Sequence, residues 1–196
     1  CIAPDYVLVP EAEREALVAA LLGRIAAAYP VARGGRDYTS LISPRHAERL
    51  RGALAEAEAR GARLLQPPGF VLPPSDRALG PTLVLDLPDD TLLAREEIFG
   101  PVLPIFGYRH LDDALARIAG AGRPLAFYLF SQDAALAADV LARTRSGNVT
   151  LNSTILHIAQ NDLPFGGVGE SGMGAYHGRD GFRRFSHARG VTAVSF

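Results

Sequence analysis

The chain has 196 residues, of which 48% are hydrophobic and 21% charged, and its formal net charge is -1. This composition excludes a disordered solvating tail or a collagen-like repeat, and the length suits one domain with a single buried core. With no block of like charges, a nucleic-acid partner is not expected, and the longest apolar stretches, Ala16 to Leu22 and Leu125 to Phe130, are far shorter than the roughly 20 residues that span a bilayer.

Along the chain the hydrophobic period switches between two and about 3.6, the pattern of strands alternating with helices. The predicted fold class is therefore α/β. Tyr6 to Val9 reads as the first strand, closed by Pro10. Ala16, Leu17, Ala20, Leu21, Ile25 and Ala28 then recur at helical spacing between Glu11 and Tyr29, with Pro30 as the stop. A second helix is predicted from Pro44 to Ala59, capped by Ser43, with its arginines and glutamates facing solvent. Strands follow at Ala62 to Gln66 and Thr82 to Asp86, separated by a loop rich in proline and glycine.

Val102 to Tyr108 reads as a buried strand, Leu111 to Ala121 as a helix, Leu125 to Phe130 as a strand, Asp133 to Arg145 as a helix and Val149 to Asn152 as a strand. Helical crossovers between successive strands imply a mainly parallel sheet with helices on both faces. Beyond Asn152 the pattern dissolves into glycine, and only Gly178 to Phe185 and Val191 to Val194 look regular again.

The absence of certain residues narrows the chemistry. All 20 basic residues are arginine, which removes Schiff-base and phosphate-loop mechanisms that need a lysine. One cysteine forms no internal disulfide, so a cytoplasmic setting is expected. None of the five histidines shares a metal-binding spacing with another or with the cysteine, and no metal is expected.

Cys1 stands where translation ordinarily places methionine, so a preceding segment is expected to have been removed. It reads as an amino-terminal nucleophile exposed by self-cleavage, an acylated lipoprotein cysteine, an internal catalytic cysteine at a cut, or a buried structural thiol. The lipoprotein reading expects a polar tether, whereas a strand begins almost at once. Glu97, before a turn that feeds a buried strand, could hold a sugar hydroxyl while Phe99 offers a flat face to a ring, although adjacent acids such as Glu96 and Glu97 are usually just solvated. Gly167 to Gly172 has the spacing of a dinucleotide-binding loop. It lacks the flanking strand and helix and the later acidic residue, and reads better as a surface crossing where backbone approaches backbone. His157 lies in irregular chain, as a pocket residue or a surface one.

Three motifs occur in order: Cys1-Ile2-Ala3-Pro4-Asp5-Tyr6; Glu96-Glu97-Ile98-Phe99-Gly100-Pro101-Val102; and Pro164-Phe165-Gly166-Gly167 leading into Ser171-Gly172-Met173-Gly174-Ala175-Tyr176-His177-Gly178. Through them the whole chain resembles the carboxy-terminal catalytic part of an aldehyde dehydrogenase, of the class 3-like branch that includes coniferyl, fatty and aromatic aldehyde dehydrogenases. The resemblance implies a catalytic domain over residues 1–165 and a glycine-rich docking and oligomer-contact tail over 166–196. It implies Cys1 as the nucleophile, Glu97 and Phe99 as cofactor-binding residues, and Ile155, His157 and Phe165 around the aldehyde.

It also implies oxidation of aromatic or medium-chain aldehydes to acids through a cysteine thiohemiacetal and thioester, with NAD or NADP as cofactor, in a homodimeric bacterial enzyme. The dinucleotide-binding Rossmann domain, the water-activating glutamate and the oxyanion asparagine are then expected upstream of Cys1. The isolated chain is expected to be inactive, since a terminal amine at Cys1 would replace a peptide N–H donor worth roughly 3 kcal/mol to an oxyanion. The rival expectations are an interaction module that keeps the fold without the chemistry, and an amino-terminal cysteine hydrolase.

Overall fold

A computed structural model describes residues 1–29, 38–72 and 75–196. Length alone pointed to one core, whereas the contacts divide the chain into two compact units, Pro4–Ala114 and Cys1–Ala3 together with Leu115–Phe196.

The first unit is built on a four-stranded sheet. β1 (Val7–Pro10), β4 (Val102–Tyr108) and β3 (Thr82–Leu85) are parallel, and β2 (Arg63–Leu65) runs antiparallel at the edge beside β3, giving the order β1-β4-β3-β2. Strand alternation explains how both faces are buried. Leu83, Leu85 and Ile105 point into a cluster with Val18 of α1 (Arg14–Ala28), while Val84 and Val102 join Ala47, Leu50, Ala53, Leu54 and Ala57 of α2 (Pro44–Ala59). Side chains two apart share a sheet face, so each of these β3 and β4 residues serves one helix. Burying a leucine such as Leu50 or Leu85 completely contributes about 2 kcal/mol.

The helices follow their local signals. α2 starts where the Ser43 hydroxyl accepts the His46 N–H at 3.2 Å with Pro44 in the first turn, and it ends before Gly61, whose φ of 95° suits a residue without Cβ. α1 follows a short 3-10 turn at Glu11–Glu13 and closes at Tyr29; Pro30, expected to stop it, lies outside the described residues. Of the polar residues of α2, Arg45, Glu48 and Glu58 are exposed as expected, whereas Arg49, Arg51 and Glu56 also bond main chain elsewhere. Arg51 donates to the carbonyls of Asp76 (2.8 Å) and Ala78 (3.2 Å), and the Glu56 carboxylate accepts the Leu92 N–H at the start of α3 (Leu92–Arg95). The irregular segments leave main-chain groups that their own backbone does not pair, and long side chains reach them.

α4 (Leu111–Gly120) leads into the second unit. There β5 (Ala126–Leu129) and β6 (Asn148–Leu151) form a separate parallel pair joined through α5 (Ala134–Arg143), whose N-cap Asp133 accepts the N–H groups of Ala135 and Leu136. The α/β expectation of mainly parallel strands with helices packed on both faces holds, with the strands divided between two sheets rather than one. α6 (Gly178–Arg184) is the last helix; Val191 to Val194, expected to be regular, carries no secondary structure.

Candidate active site

The second unit holds Cys1, which is exposed. The peptide beside it is tied down, because the Tyr128 hydroxyl on β5 donates to the Ile2 carbonyl. Behind Tyr128 lies His157, in a 3-10 turn (Leu156–Ala159) that the chain enters through Ile155 at a left-handed φ of 68°. Ile155 is exposed, whereas His157 is only 6% exposed.

The His157 ring stacks on Phe165 with centroids 5.7 Å apart and planes at 14°, and lies 5.8 Å from the Tyr128 ring. Its Nδ1 shares a 2.9 Å hydrogen bond with the Thr150 hydroxyl of β6, and its buried Nε2 has no hydrogen-bond partner. Burial pushes its pKa down, since a charged imidazole there would lose water without gaining a counter-ion. Phe165 is itself buried, and its main chain exchanges hydrogen bonds of 2.8 and 2.9 Å with Tyr176.

The glycine-rich stretch is a backbone crossing. A Cβ on Gly166 would meet the Gly174 carbonyl, one on Gly167 the Ser171 carbonyl, and one on Gly147 the Gly166 carbonyl. The dinucleotide-like spacing opens only a single 3-10 turn at Gly169–Ser171, in keeping with its rejection as a Rossmann loop.

Glu97 and Phe99 lie in the first unit, on the short segment between α3 and β4. Ile98 between them is buried at 1% exposure and anchors the segment, while Glu97 and Phe99 face outward and line an open cleft of about 540 Å3 with His46 and Arg49. Phe99 has φ 52°, a conformation that costs a residue with a side chain on the order of 1–3 kcal/mol unless its surroundings impose it.

Here the surroundings do. Arg49 of α2 donates to the Glu97 carbonyl (3.0 Å), the Ile98 carbonyl (3.4 Å) and the Glu96 carboxylate (3.0 Å). His46, one helical turn earlier, donates from Nε2 to the Phe99 carbonyl at 2.9 Å. The Asp5 carboxylate accepts the Ile98 N–H at 2.9 Å. Burial raises the Asp5 pKa, opposed by the Ile98 hydrogen bond.

The expected site residues therefore fall into two groups. Cys1, Ile155, His157 and Phe165 belong to one unit, with His157 and Phe165 in direct ring contact, and Glu97 and Phe99 share the cleft of the other. Sequence reading missed Tyr128, Thr150, Asp5, His46 and Arg49. Only Asp5 carried a local signal, as part of the Ala-Pro-Asp-Tyr run; Tyr128, His46 and Arg49 act on partners dozens of residues away, and Thr150 on His157 seven residues on. Among the described residues, no cluster of three or more His, Cys, Asp or Glu side chains could hold a metal, and no helix is long and apolar enough to cross a membrane.

Comparison with known proteins gives a consistent answer. Residues 1–191 match the aldehyde dehydrogenase family. The chain is 46% identical over 194 residues to a probable coniferyl aldehyde dehydrogenase of Caulobacter vibrioides, covering 97% of this chain and 40% of that protein. It is 39% identical over 197 residues to the dimeric NADP-preferring aldehyde dehydrogenase of Rattus norvegicus, covering 100% of this chain and 42% of that protein. Among solved structures, the NAD-dependent aldehyde dehydrogenase of Sinorhizobium meliloti superposes with a TM-score of 0.83 at 30% identity, over 97% of this chain and 38% of that one. The chain thus spans about two fifths of the length of these two relatives.

Proposed function

Since the chain belongs to the aldehyde dehydrogenase family, we propose that it supplies the nucleophile and part of the cofactor site of an NAD- or NADP-dependent enzyme that oxidises aldehydes to carboxylic acids. Aromatic aldehydes of the coniferyl type and medium-chain aliphatic aldehydes are the substrate classes, following the name of the Caulobacter relative and the apolar side chain of Ile155. The observation that carries the reading is the one thiol of the chain, Cys1, exposed and followed by a peptide whose carbonyl is held by Tyr128.

In this reading the Cys1 thiolate attacks the aldehyde carbon to form a thiohemiacetal, and its sulfur then carries the acyl group as a thioester until water releases the acid. The cofactor, when bound, supplies the hydride acceptor. The donor set of the cleft fits such a group: a carboxylate at Glu97 suits paired sugar hydroxyls, and the Phe99 ring, 57% exposed, suits a flat heteroaromatic ring. Ile155 meets the aldehyde's apolar part, and His157 and Phe165 shape that surface from beneath. Residues 166–196 form a docking segment of a homodimer, and the enzyme works in the cytoplasm with the cofactor-binding domain of the same polypeptide as the chain's partner.

The test is aldehyde-dependent reduction of NAD and NADP by the full gene product, by the isolated 196-residue chain and by Cys1→Ser in each. Turnover by the full product alone, reduced at least about 1000-fold by Cys1→Ser, is the expected result. A serine variant that retains its rate removes Cys1 as nucleophile, and a full product inactive with both aldehyde classes removes the enzymatic reading.

A further inference from the structure

The segment that carries Glu97 and Phe99 contributes little to its own conformation. It lies outside the strands and helices, and Phe99 is held in left-handed backbone. Its consecutive peptide groups are instead satisfied from outside: the Glu97 and Ile98 carbonyls by Arg49, the Ile98 N–H by Asp5 and the Phe99 carbonyl by His46. Two of these side chains stand one turn apart on α2, a rigid element whose apolar face is buried, and the third lies just before β1.

We infer that Asp5, Arg49 and His46 are positioning residues that fix the cofactor face of the site, by clamping the main chain of Glu97, Ile98 and Phe99 so that the Glu97 carboxylate and the Phe99 ring stay presented to the cleft. The inference rests on the proposed cofactor role of Glu97 and Phe99. Asp5 is its sharpest element, because it does not line the cleft and acts through the Ile98 N–H. Arg49 works as a fork: a lysine keeps the charge but cannot direct several N–H groups at once toward two carbonyls and a carboxylate.

The experiment uses the full gene product and reads two quantities: the Kd of NADH and NADPH by the fluorescence of the reduced nicotinamide, and the KM of the aldehyde. Asp5→Ala and Arg49→Met are expected to weaken dinucleotide binding by about tenfold or more while the aldehyde KM stays within about twofold. Arg49→Lys falls between wild type and Arg49→Met. Asp5→Asn, which keeps an oxygen for the Ile98 N–H, restores binding to within about twofold. Unchanged Kd in folded Asp5→Ala and Arg49→Met overturns the clamp, as does a Kd and aldehyde KM that weaken together. If the truncating variants do not fold, Arg49→Lys decides, and a wild-type Kd there overturns the inference.

The two readings fail separately. A wild type that reduces no cofactor and binds none sinks the proposed function. A wild type that binds and turns over, with variants indistinguishable from it, sinks the clamp alone.

Discussion

At His157 a single buried side chain makes the fold sensitive to pH. Its ring is enclosed by Phe165 and Tyr128, one nitrogen bonds the Thr150 hydroxyl, and the other has no partner. Burial lowers its pKa in the folded state, so the fold binds fewer protons than the unfolded chain below the ordinary histidine value of about 6.5. The resulting stability is complete above that value and is lost as pH falls through the lowered folded-state pKa. Thermal unfolding from pH 8 to 5 should therefore show a midpoint that drops on the acid side of about 6.5. In His157→Gln the slope should be shallower, with a midpoint lower at neutral pH because the ring stack, worth about 1 kcal/mol, is gone. Parallel curves for the two proteins would mean that another group sets the acid limit.

Among the elements, the glycine crossing is where a single methyl group should cost most. The Cβ of an alanine at Gly166 would be driven into the Gly174 carbonyl and close to Ala175, all main chain with no side chain to swing aside. Gly166→Ala is expected to cost about 3 kcal/mol, measured as a lower urea midpoint with an unchanged denaturant slope. Gly23→Ala, on the exposed side of α1 where a Cβ meets nothing, is the control and should be neutral or slightly stabilising. Equal midpoints for the two variants would show that the crossing is loosely packed.

This contrast between local and distant causes also explains what the sequence could disclose. α2 was legible to the residue because Ser43, Pro44 and the spacing of Ala47, Leu50, Leu54 and Ala57 all act within one helix. β4 was legible because a run of buried residues bounded by a glycine-proline turn leaves few alternatives. The division into two sheets was not, since pairing depends on which strand lies beside which, and neither Leu83 nor Leu129 encodes its neighbour. Val191 to Val194 misled for a related reason: apolar residues supply β-propensity but no partner for their backbone groups. Of the proposed site residues, Cys1, Glu97 and Phe99 stand out through motifs, while Arg49 looks like one more charge on a solvated helix face. Its role shows only once Glu97 and Ile98 are folded against it.

For the molecule as a whole, charge is carried by arginine pairs at or near the surface, and exposed apolar side chains gather near the end of the chain. Arg14 and Arg63 both reach Asp86, at 2.9 and 3.0 Å, and Arg63 also reaches Glu15 at 2.7 Å. Such surface pairs orient side chains and contribute little to stability. By contrast, Phe182, Phe185, Val191, Val194 and Phe196 are all exposed near the end of the chain, and residues 187–196 have no secondary structure. Exposed apolar groups gathered in one stretch favour association, as the proposed docking role of residues 166–196 requires. The isolated chain is therefore expected to bind a hydrophobic dye and to self-associate with rising concentration in sedimentation velocity. Replacing Val191, Val194 and Phe196 together by serine should reduce both without changing the circular dichroism, since no helix or strand includes them. In the full gene product the same substitutions should shift the proposed dimer toward monomer. A wild-type chain that stays monomeric and dye-silent, beside a full-product dimer untouched by the substitutions, would place the subunit contact elsewhere in the protein.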